Sequence, residues 1–467
     1  MKQLITINQE KCVNCHQCIA ACPVKFANDG SGDYVSVNHE LCIGCGKCIN
    51  ACKHDARGFN DDLETCMALL NLKTPMVAIA APAVISSFKH RYKNINGWLT
   101  SLGVEAVFDV SFGAELTVKS YVDFIETHKP TTVIAQPCPA IVTYIEIYQP
   151  ELLKYLAPVD SPMLHTIKMI REFFPEFNSH RIMVLSPCVA KSREFDDTVS
   201  GTYNVTIKRL MEYIEKNNIA LESFPEIDYH APQAGIAAGF SSPGGLLETV
   251  ADQYPHLRNL IRKIEGPHLV YDYLKKLPEQ IRKGNAPLII DILNCELGCN
   301  GGTGTANHDA SPDELEIIIQ ERIKALQQAP EYREELLRNV NKYWTGALFA
   351  RSYQVKSEGY TKLGNPSEVE LKSIMSELHK TKPEHILNCA ACGYNSCETM
   401  CKAIFNNMNR KENCHHYLQE EMKLITNNLD HLVKSKTEEA ERQKDEVVTM
   451  AEDLLGFMKN MHAILEG

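Results

Sequence analysis

Three short apolar runs punctuate the middle of the chain, and each ends in a cysteine: VIAQP before Cys138, IMVLSP before Cys188 and LIIDILN before Cys295. Runs of this length with few polar interruptions predict strands buried on both faces, as in parallel sheets. Ligands of such sheets bind at the carboxyl ends of strands. The three cysteines are therefore expected to converge, with Cys299 one helical turn beyond Cys295. Four thiolates at one site suit a metal cluster rather than a disulfide framework. Further on, the period changes. Met422, Ile425, Leu429 and Leu432 follow 3-4-3 spacing, and Val447, Met450, Leu454, Phe457, Met461 and Ile464 resume it after a charged stretch, 433–446. This predicts one helix from just after Cys414 to the end. Between Leu432 and Val447 the apolar seam gains one residue over two heptads, so it shifts there. Residues 311–380 read as charged and helical.

A chain of 467 residues is too long for one compact core, so several domains are expected. Its formal net charge is −11 and it has no basic block, which argues against nucleic acid or an anionic membrane as a main partner. It shows no secretory h-region at its start and no apolar stretch of bilayer-spanning length. Its 18 cysteines would suggest disulfides in a secreted protein. Most sit at cluster-ligand spacing, however, so a reducing, cytoplasmic compartment is expected.

Residues 1–60 carry one cysteine pattern twice: CVNCHQCIAACP, with Cys12, Cys15, Cys18 and Cys22, and CIGCGKCINACK, with Cys42, Cys45, Cys48 and Cys52. This is the spacing of bacterial two-cluster ferredoxins, in which the fourth cysteine of each run serves the other cluster. Cys12, Cys15, Cys18 and Cys52 are expected to hold one [4Fe-4S], and Cys42, Cys45, Cys48 and Cys22 the second. Zinc is the competing occupant, but zinc motifs do not ordinarily run four cysteines twice in this way. Pro23 follows the first run, whereas Lys53 stands at the matching place of the second. Cys66 fits no pattern and is expected as a buried small residue.

The words around the remaining central cysteines are AQPCPAIV (135–142), SPCVAKSRE (186–194) and DILNCELGCNGGTG (291–304). In order, they resemble the three cysteine motifs of the [FeFe]-hydrogenase catalytic domain, over roughly residues 75–345. VFDVSFGAELT (107–117) and GFSSPGGLLE (239–248) resemble further segments of that domain. The resemblance implies that Cys138, Cys188 and Cys295 bind the [4Fe-4S] half of an H-cluster. It implies that Cys299 bridges to a diiron half carrying CO, cyanide and a dithiolate. It also implies that Lys191 donates to a cyanide, that Glu194 is a station on a proton path, and that Gly244 and Gly245 lie beside the diiron site. Gly301 and Gly302 are expected to let backbone approach the cluster closely.

Several positions depart from that pattern. The usual catalytic members have a cysteine immediately before the first cluster cysteine, which passes protons to the site. Here the position is Pro137, with no ionisable side chain and no N–H. Two glutamates of the usual path fall on Tyr121 and Phe124, if no gap intervenes. Methionines usual two residues before the second and third motifs' first ligands are Ser186 and Leu293. A hydroxyl at Ser186 is expected near the cluster, where it would shift the reduction potential. The usual GGG run is GGTG. Intact ligation with altered proton supply resembles the sensory branch of the family better than the high-turnover branch.

Cys389, Cys392, Cys397 and Cys414 have the spacing CxxC-x4-C-x16-C, resembling a small [4Fe-4S] domain of several redox and sensory proteins. Cys401, one turn after Cys397, is expected to pack rather than ligate. His54, His385, His415 and His416 lie near cysteine motifs and are expected not to be ligands. The expected organisation is multidomain α/β. A two-cluster ferredoxin-like α+β domain at 1–60 precedes an H-cluster domain with two parallel-sheet lobes at 61–345. A helical connector follows at 346–380, then a [4Fe-4S] module at 381–417 and a long helix at 418–467. The resemblance implies slow, reversible H2 oxidation, with H2 and protons as substrates and ferredoxin or another carrier as electron partner. A role in reporting H2 or redox state is expected through the terminal helix. That helix either pairs with a second copy, the favoured reading, or folds back. No output domain follows it, so a separate signalling partner or a longer natural chain is expected. Two alternatives stay open: a ferredoxin-linked catalytic hydrogenase with another proton path, and an iron–sulfur scaffold that never holds the diiron half.

Overall fold

The computed structural model describes residues 1–199 and 201–465. They fall into two compact units, Met1–Gly364 and Asn365–Gly467. The first unit opens with β1 (Ile5–Ile7), β2 (Asn28–Asp29), β3 (Ser36–Val37) and β4 (Arg57–Phe59). β1 pairs antiparallel with β4, and β2 with β3. Two short helices, Gln17–Ala21 and Lys47–Asn50, lie between them. Their approaches repeat in backbone as well as in sequence. Asn14 and His16 have φ of 53° and 60°, and Gly44 and Gly46, at the matching places, both have 73°. This left-handed alternation turns successive N–H groups inward, the arrangement that forms anion-binding concavities. It is the ferredoxin-like domain that the doubled motif predicts.

The rest of the unit is built on β5 (Met76–Ala80), β6 (Val104–Asp109), β7 (Val133–Ile134), β8 (Arg181–Ser186), β9 (Thr202–Thr206), β10 (Ile261–Glu265) and β11 (Ile289–Leu293). They form two wholly parallel sheets, of order β6-β5-β8-β9 and β10-β11-β7. These are the two expected lobes. Both faces of the larger sheet are buried, and strand alternation divides its residues. Val77, Ile79, Phe108, Ile182 and Val184 join one core. Ala78, Ala80, Met183, Leu185 and Val205 join the other. The strand predicted before Cys138 is only two residues long. The Gln136 side chain leaves the ladder and donates to the carbonyls of Val159 and Asp160 at 2.6 and 2.8 Å.

The helix Val110–His128 starts at the end of β6, capped by Asp109, whose carboxylate accepts from Ser111 N–H at 2.8 Å. Asp109 also forms a buried ion pair with Arg322, which fixes the helix Pro312–Gln327. One turn into the capped helix, Glu115 is fully buried and accepts from the backbone N–H groups of Gly235 and Ala237 at 2.9 and 3.0 Å, and from Gln253. It thereby ties down the segment that leads into the 239–248 loop. Burial pushes its carboxyl up to about 7, despite the two backbone donors. The folded pKa lies above the unfolded one, so the stability linked to this proton is complete below the unfolded value and lost as pH rises through about 7. Glu115→Gln should flatten that fall between pH 4.5 and 7, as read by anaerobic unfolding midpoints. The same slope in both proteins would contradict the assignment.

The second unit has a helix Glu368–Glu377 with a Ser367/Glu370 capping box, a helix Cys397–Phe405, and a single 51-residue helix His415–Leu465. The last matches the predicted terminal helix, with Gly456 carried inside it. No helix among the described residues is long and apolar enough to cross a membrane.

Candidate metal centre

The sheets deliver the central cysteines as the apolar runs predict. Cys138 follows β7 and caps the helix Pro139–Tyr148. Cys188 lies two residues beyond β8, and Cys295 two beyond β11. Cys299 sits in a 3-10 turn, Gly298–Gly301, rather than a full helical turn. Its N–H donates to Ser241 O at 2.8 Å, which seats it against the 239–248 loop. Burial pushes the Cys188 thiol up to about 12 and Cys295 up to about 11, with added repulsion from Cys138 on both and from Cys295 on Cys188. Cys299 is raised by burial and then by Cys138, Cys295 and Cys188, so all four thiols share one site. Such thiols are costly to ionise without a cation to receive them, and an iron cluster supplies one. Among the described residues, no three of His, Cys, Asp or Glu close tightly enough to hold a single metal ion.

Around this site the structure adds donors that the motifs did not specify. The Ser241 hydroxyl is buried and has no hydrogen-bond partner among the described residues. A cluster carrying anionic ligands fits that orphan donor. Lys191 is buried, and its charge acts on Cys138, Cys188 and Cys299. It does not stand free, however. Lys191 Nζ lies 2.5 Å from Glu194 Oε2 and 3.0 Å from Ser161 Oγ, and Ser161 donates to the same carboxylate oxygen at 3.0 Å. Arg351 holds the other oxygen at 2.5 Å. Burial alone would raise Glu194, but Lys191 and Arg351 outweigh it and hold the carboxyl below the ordinary range. Glu194 is thus locked as a carboxylate and poorly suited to carry a proton.

Other expectations change in detail. The Ser186 hydroxyl engages the N–H and C=O of Cys188, both at 3.1 Å. It orients that cysteine's backbone instead of facing a sulfur. Gly302 makes room for protein backbone, since a Cβ there would fall 2.3 Å from Pro187 O, and Gly301 makes room for Leu297. Gly245 packs on the backbone of Gly239 and Phe240, while Gly244, at φ +77°, donates to Glu265 at 2.7 Å. Leu293 closes β11 as a buried apolar residue. Pro137 is buried beside Cys138. Tyr121 is buried behind it and donates to Gln136, with its hydroxyl pKa raised by burial; Phe124 is partly buried. The nearby His165 bonds Thr117 and Ser120 at 3.0 and 2.9 Å, and burial lowers its pKa to about 3. This wall therefore presents neutral groups.

Cys12, Cys15 and Cys18 lie near one another, as do Cys22, Cys42, Cys45 and Cys48. Repulsion from Cys22, Cys48 and Cys42 adds to burial in raising Cys45, and repulsion from Cys12 and Cys15 bears on Cys18. The place of Cys52 in the first set rests on spacing. The second set abuts the central site. Cys45 and Cys295 line one cavity of about 80 Å³, together with Lys47, Leu297, Thr303 and His308. Lys47 pairs with Glu296 at 3.3 Å, Arg193 donates to Cys42 O at 2.9 Å, and Tyr148 donates to Leu41 O at 2.6 Å. The threonine of GGTG explains itself here: a Cβ on Gly46 would fall 2.6 Å from Thr303 Oγ1. Gly46→Ala, at φ +73°, should cost about 2–4 kcal/mol from strain and overpacking. An unchanged anaerobic unfolding midpoint would contradict this packing.

In the second unit, Cys392, Cys397 and Cys414 are buried and Cys389 is exposed. Cys397 N–H donates to Asn388 Oδ1 at 2.8 Å. Cys401 is fully buried, pushed up to about 12 by burial and by Cys397, Cys414 and Cys392. It packs against the same thiols rather than away from them.

Residues 74–303 match the family described as iron only hydrogenase large subunit, C-terminal domain, and residues 4–53 match the 4Fe-4S dicluster domain. Residues 74–303 are thus similar to the iron-only hydrogenase large subunit, with a 4Fe-4S dicluster match ahead of them. Among curated relatives, the NADP-reducing hydrogenase subunit HndD of Solidesulfovibrio fructosivorans is 21% identical over 75% of this chain and 66% of its own. Iron hydrogenase 1 of Clostridium pasteurianum is 24% identical over 69% and 68%. The nuclear prelamin A recognition factor of Mus musculus is 21% identical over 49% and 61%. The chain thus spans about two thirds of the length of these relatives. A solved single-residue variant of the [FeFe]-hydrogenase HydA1 from Chlamydomonas reinhardtii superposes with a TM-score of 0.50 at 16% identity, covering 64% of this chain and 100% of that one. That likeness is one of fold.

Proposed function

We propose that this [FeFe]-hydrogenase-like iron–sulfur protein binds and reversibly oxidises H2 slowly, and that it reports H2 or redox state to a partner. The observation that carries the slow turnover is the lack of a proton carrier beside Cys138: Pro137 has no ionisable group, the Tyr121 hydroxyl is tied to Gln136, and Glu194 is locked as a carboxylate by Lys191 and Arg351. Cys138, Cys188 and Cys295 would hold the cubane, and Cys299 the diiron half. When bound, this group supplies the heterolytic chemistry of H2. The chain's own part is to ligate it, to offer the Ser241 hydroxyl and the Lys191 charge, and to exclude water from the Pro137 side. No side chain at position 137 can take or give a proton.

Electrons would pass to a ferredoxin or another carrier through the two N-terminal clusters, which the shared Cys45–Cys295 cavity supports. A third cluster is proposed at Cys389, Cys392, Cys397 and Cys414. The reporting role rests on the terminal helix, where Met422, Ile425, Leu429, Leu432, Val447 and Leu454 are exposed. Pairing with a second copy would cover that seam, and a signalling partner would read it. A cytoplasmic setting suits this many reduced cysteines. A second reading, an iron–sulfur protein without the diiron half, is favoured only by the match to the prelamin factor, whose name carries no hydrogenase. Exchange of D2 with water protons by the matured protein tests the proposal. Slow exchange above background supports it; none, or turnover at the level of a fast hydrogenase, contradicts it.

A further inference from the structure

We propose that Arg57 sets the order in which the two N-terminal clusters are reduced, holding the one at Cys12, Cys15, Cys18 and Cys52 at the higher potential. This rests on the reading that both cysteine sets carry [4Fe-4S] clusters. Arg57 opens β4, paired with Ile7 of β1, and is only 7% exposed. Its Nη2 donates to Cys18 Sγ at 3.2 Å and to Val35 O at 2.8 Å. Its Nη1 is buried with no hydrogen-bond partner among the described residues.

A guanidinium cannot shed its charge in a protein, and a buried N–H left without an acceptor is costly. A cluster on Cys18 brings sulfur acceptors to that donor. The orphan Nη1 and the bonded Nη2 therefore mark one function, which is to hydrogen-bond sulfur. Reduction adds negative charge to a cluster. A fixed cation that donates to its sulfur stabilises the reduced form and raises the potential.

Among the described residues, no guanidinium donates to a sulfur of the second set. Cys42 Sγ accepts, among the described residues, only the Gly44 N–H, at 3.4 Å. The guanidinium nearest to it, Arg193, donates to the carbonyl of Cys42 and not to a sulfur. The charge of Arg57 also reaches Cys42 and Cys48, but only Cys18 receives its hydrogen bond. The cluster farther along the chain from the Cys45–Cys295 cavity then becomes the station where an electron rests. The nearer one is the link that empties quickly.

The test is a redox titration of the full, anaerobically reconstituted chain, followed by electron paramagnetic resonance. Wild type should show two N-terminal midpoints. Arg57→Gln should move the higher one to more negative potential and leave the lower one nearly in place, with Arg57→Lys intermediate. Unchanged midpoints, or an equal shift of both, in loaded Arg57→Gln overturns the proposal. If that variant fails to load, Cys45→Ser decides. It should alter only the lower-potential signal; alteration of the higher one overturns the assignment. Wild type without the two cluster signals would instead overturn the two-cluster reading itself.

Discussion

Pro137→Cys should raise H2 evolution by the matured protein about 100-fold, the low end of what a positioned acid–base group contributes. The thiol would stand directly before Cys138, where the present side chain can neither give nor take a proton. The gain is set at the low end because the wall behind it stays neutral. Tyr121 donates to Gln136 and Phe124 has no proton to offer. Adding Glu194→Gln should change the rate little, since Glu194 is already locked by two cations. The comparison is made per diiron site, by gas-phase H2 at fixed reductant. An unchanged rate in fully loaded Pro137→Cys would show that proton supply runs elsewhere.

Lys191→Met should destabilise the central domain by about 3–5 kcal/mol, the typical cost of removing one partner from a buried ion pair. The side chains concerned are almost wholly enclosed, at 6% and 1% exposure for Lys191 and Glu194. Arg351 would remain on the carboxylate, so the loss should sit toward the lower figure. With Lys191 gone, the carboxyl of Glu194 should move up toward its usual range, because burial would then face one cation instead of two. The native carboxyl lies below the unfolded value. The stability it contributes is therefore present above that value and lost as pH falls through the folded one. Lys191→Met should shrink this acid-side contribution. Unfolding midpoints across pH 3–7 that match wild type would contradict the pairing.

Much of this architecture was legible because period and cysteine placement agree. The runs before Cys138, Cys188 and Cys295 are short and unbroken, and they became parallel strands whose ends converge. The doubled CxxCxxCxxxC gave both the ferredoxin-like domain and the grouping of Cys45 with Cys22. The 3-4-3 spacing gave the terminal helix. What stayed hidden depends on partners distant in sequence. Arg351 lies 157 residues from Glu194, and Arg57 lies 39 from Cys18, with no motif linking either pair. The Ser186 hydroxyl turned to its own neighbour's backbone, a choice of rotamer that spacing cannot reveal. Gly301 and Gly302 were read toward the cluster because glycines near a ligand suggest close approach. Here the close approach is to Leu297 and Pro187. The threonine of GGTG looked like a departure until Gly46 was seen beneath it.

The central claim is that Cys138, Cys188, Cys295 and Cys299 hold a cluster with a diiron half that meets H2. Its most direct test is the infrared spectrum of anaerobically purified protein matured with a synthetic diiron complex, recorded under argon and then under H2. The account predicts bound CO and cyanide bands that shift when H2 is admitted. Full iron–sulfur content with no such bands would contradict it.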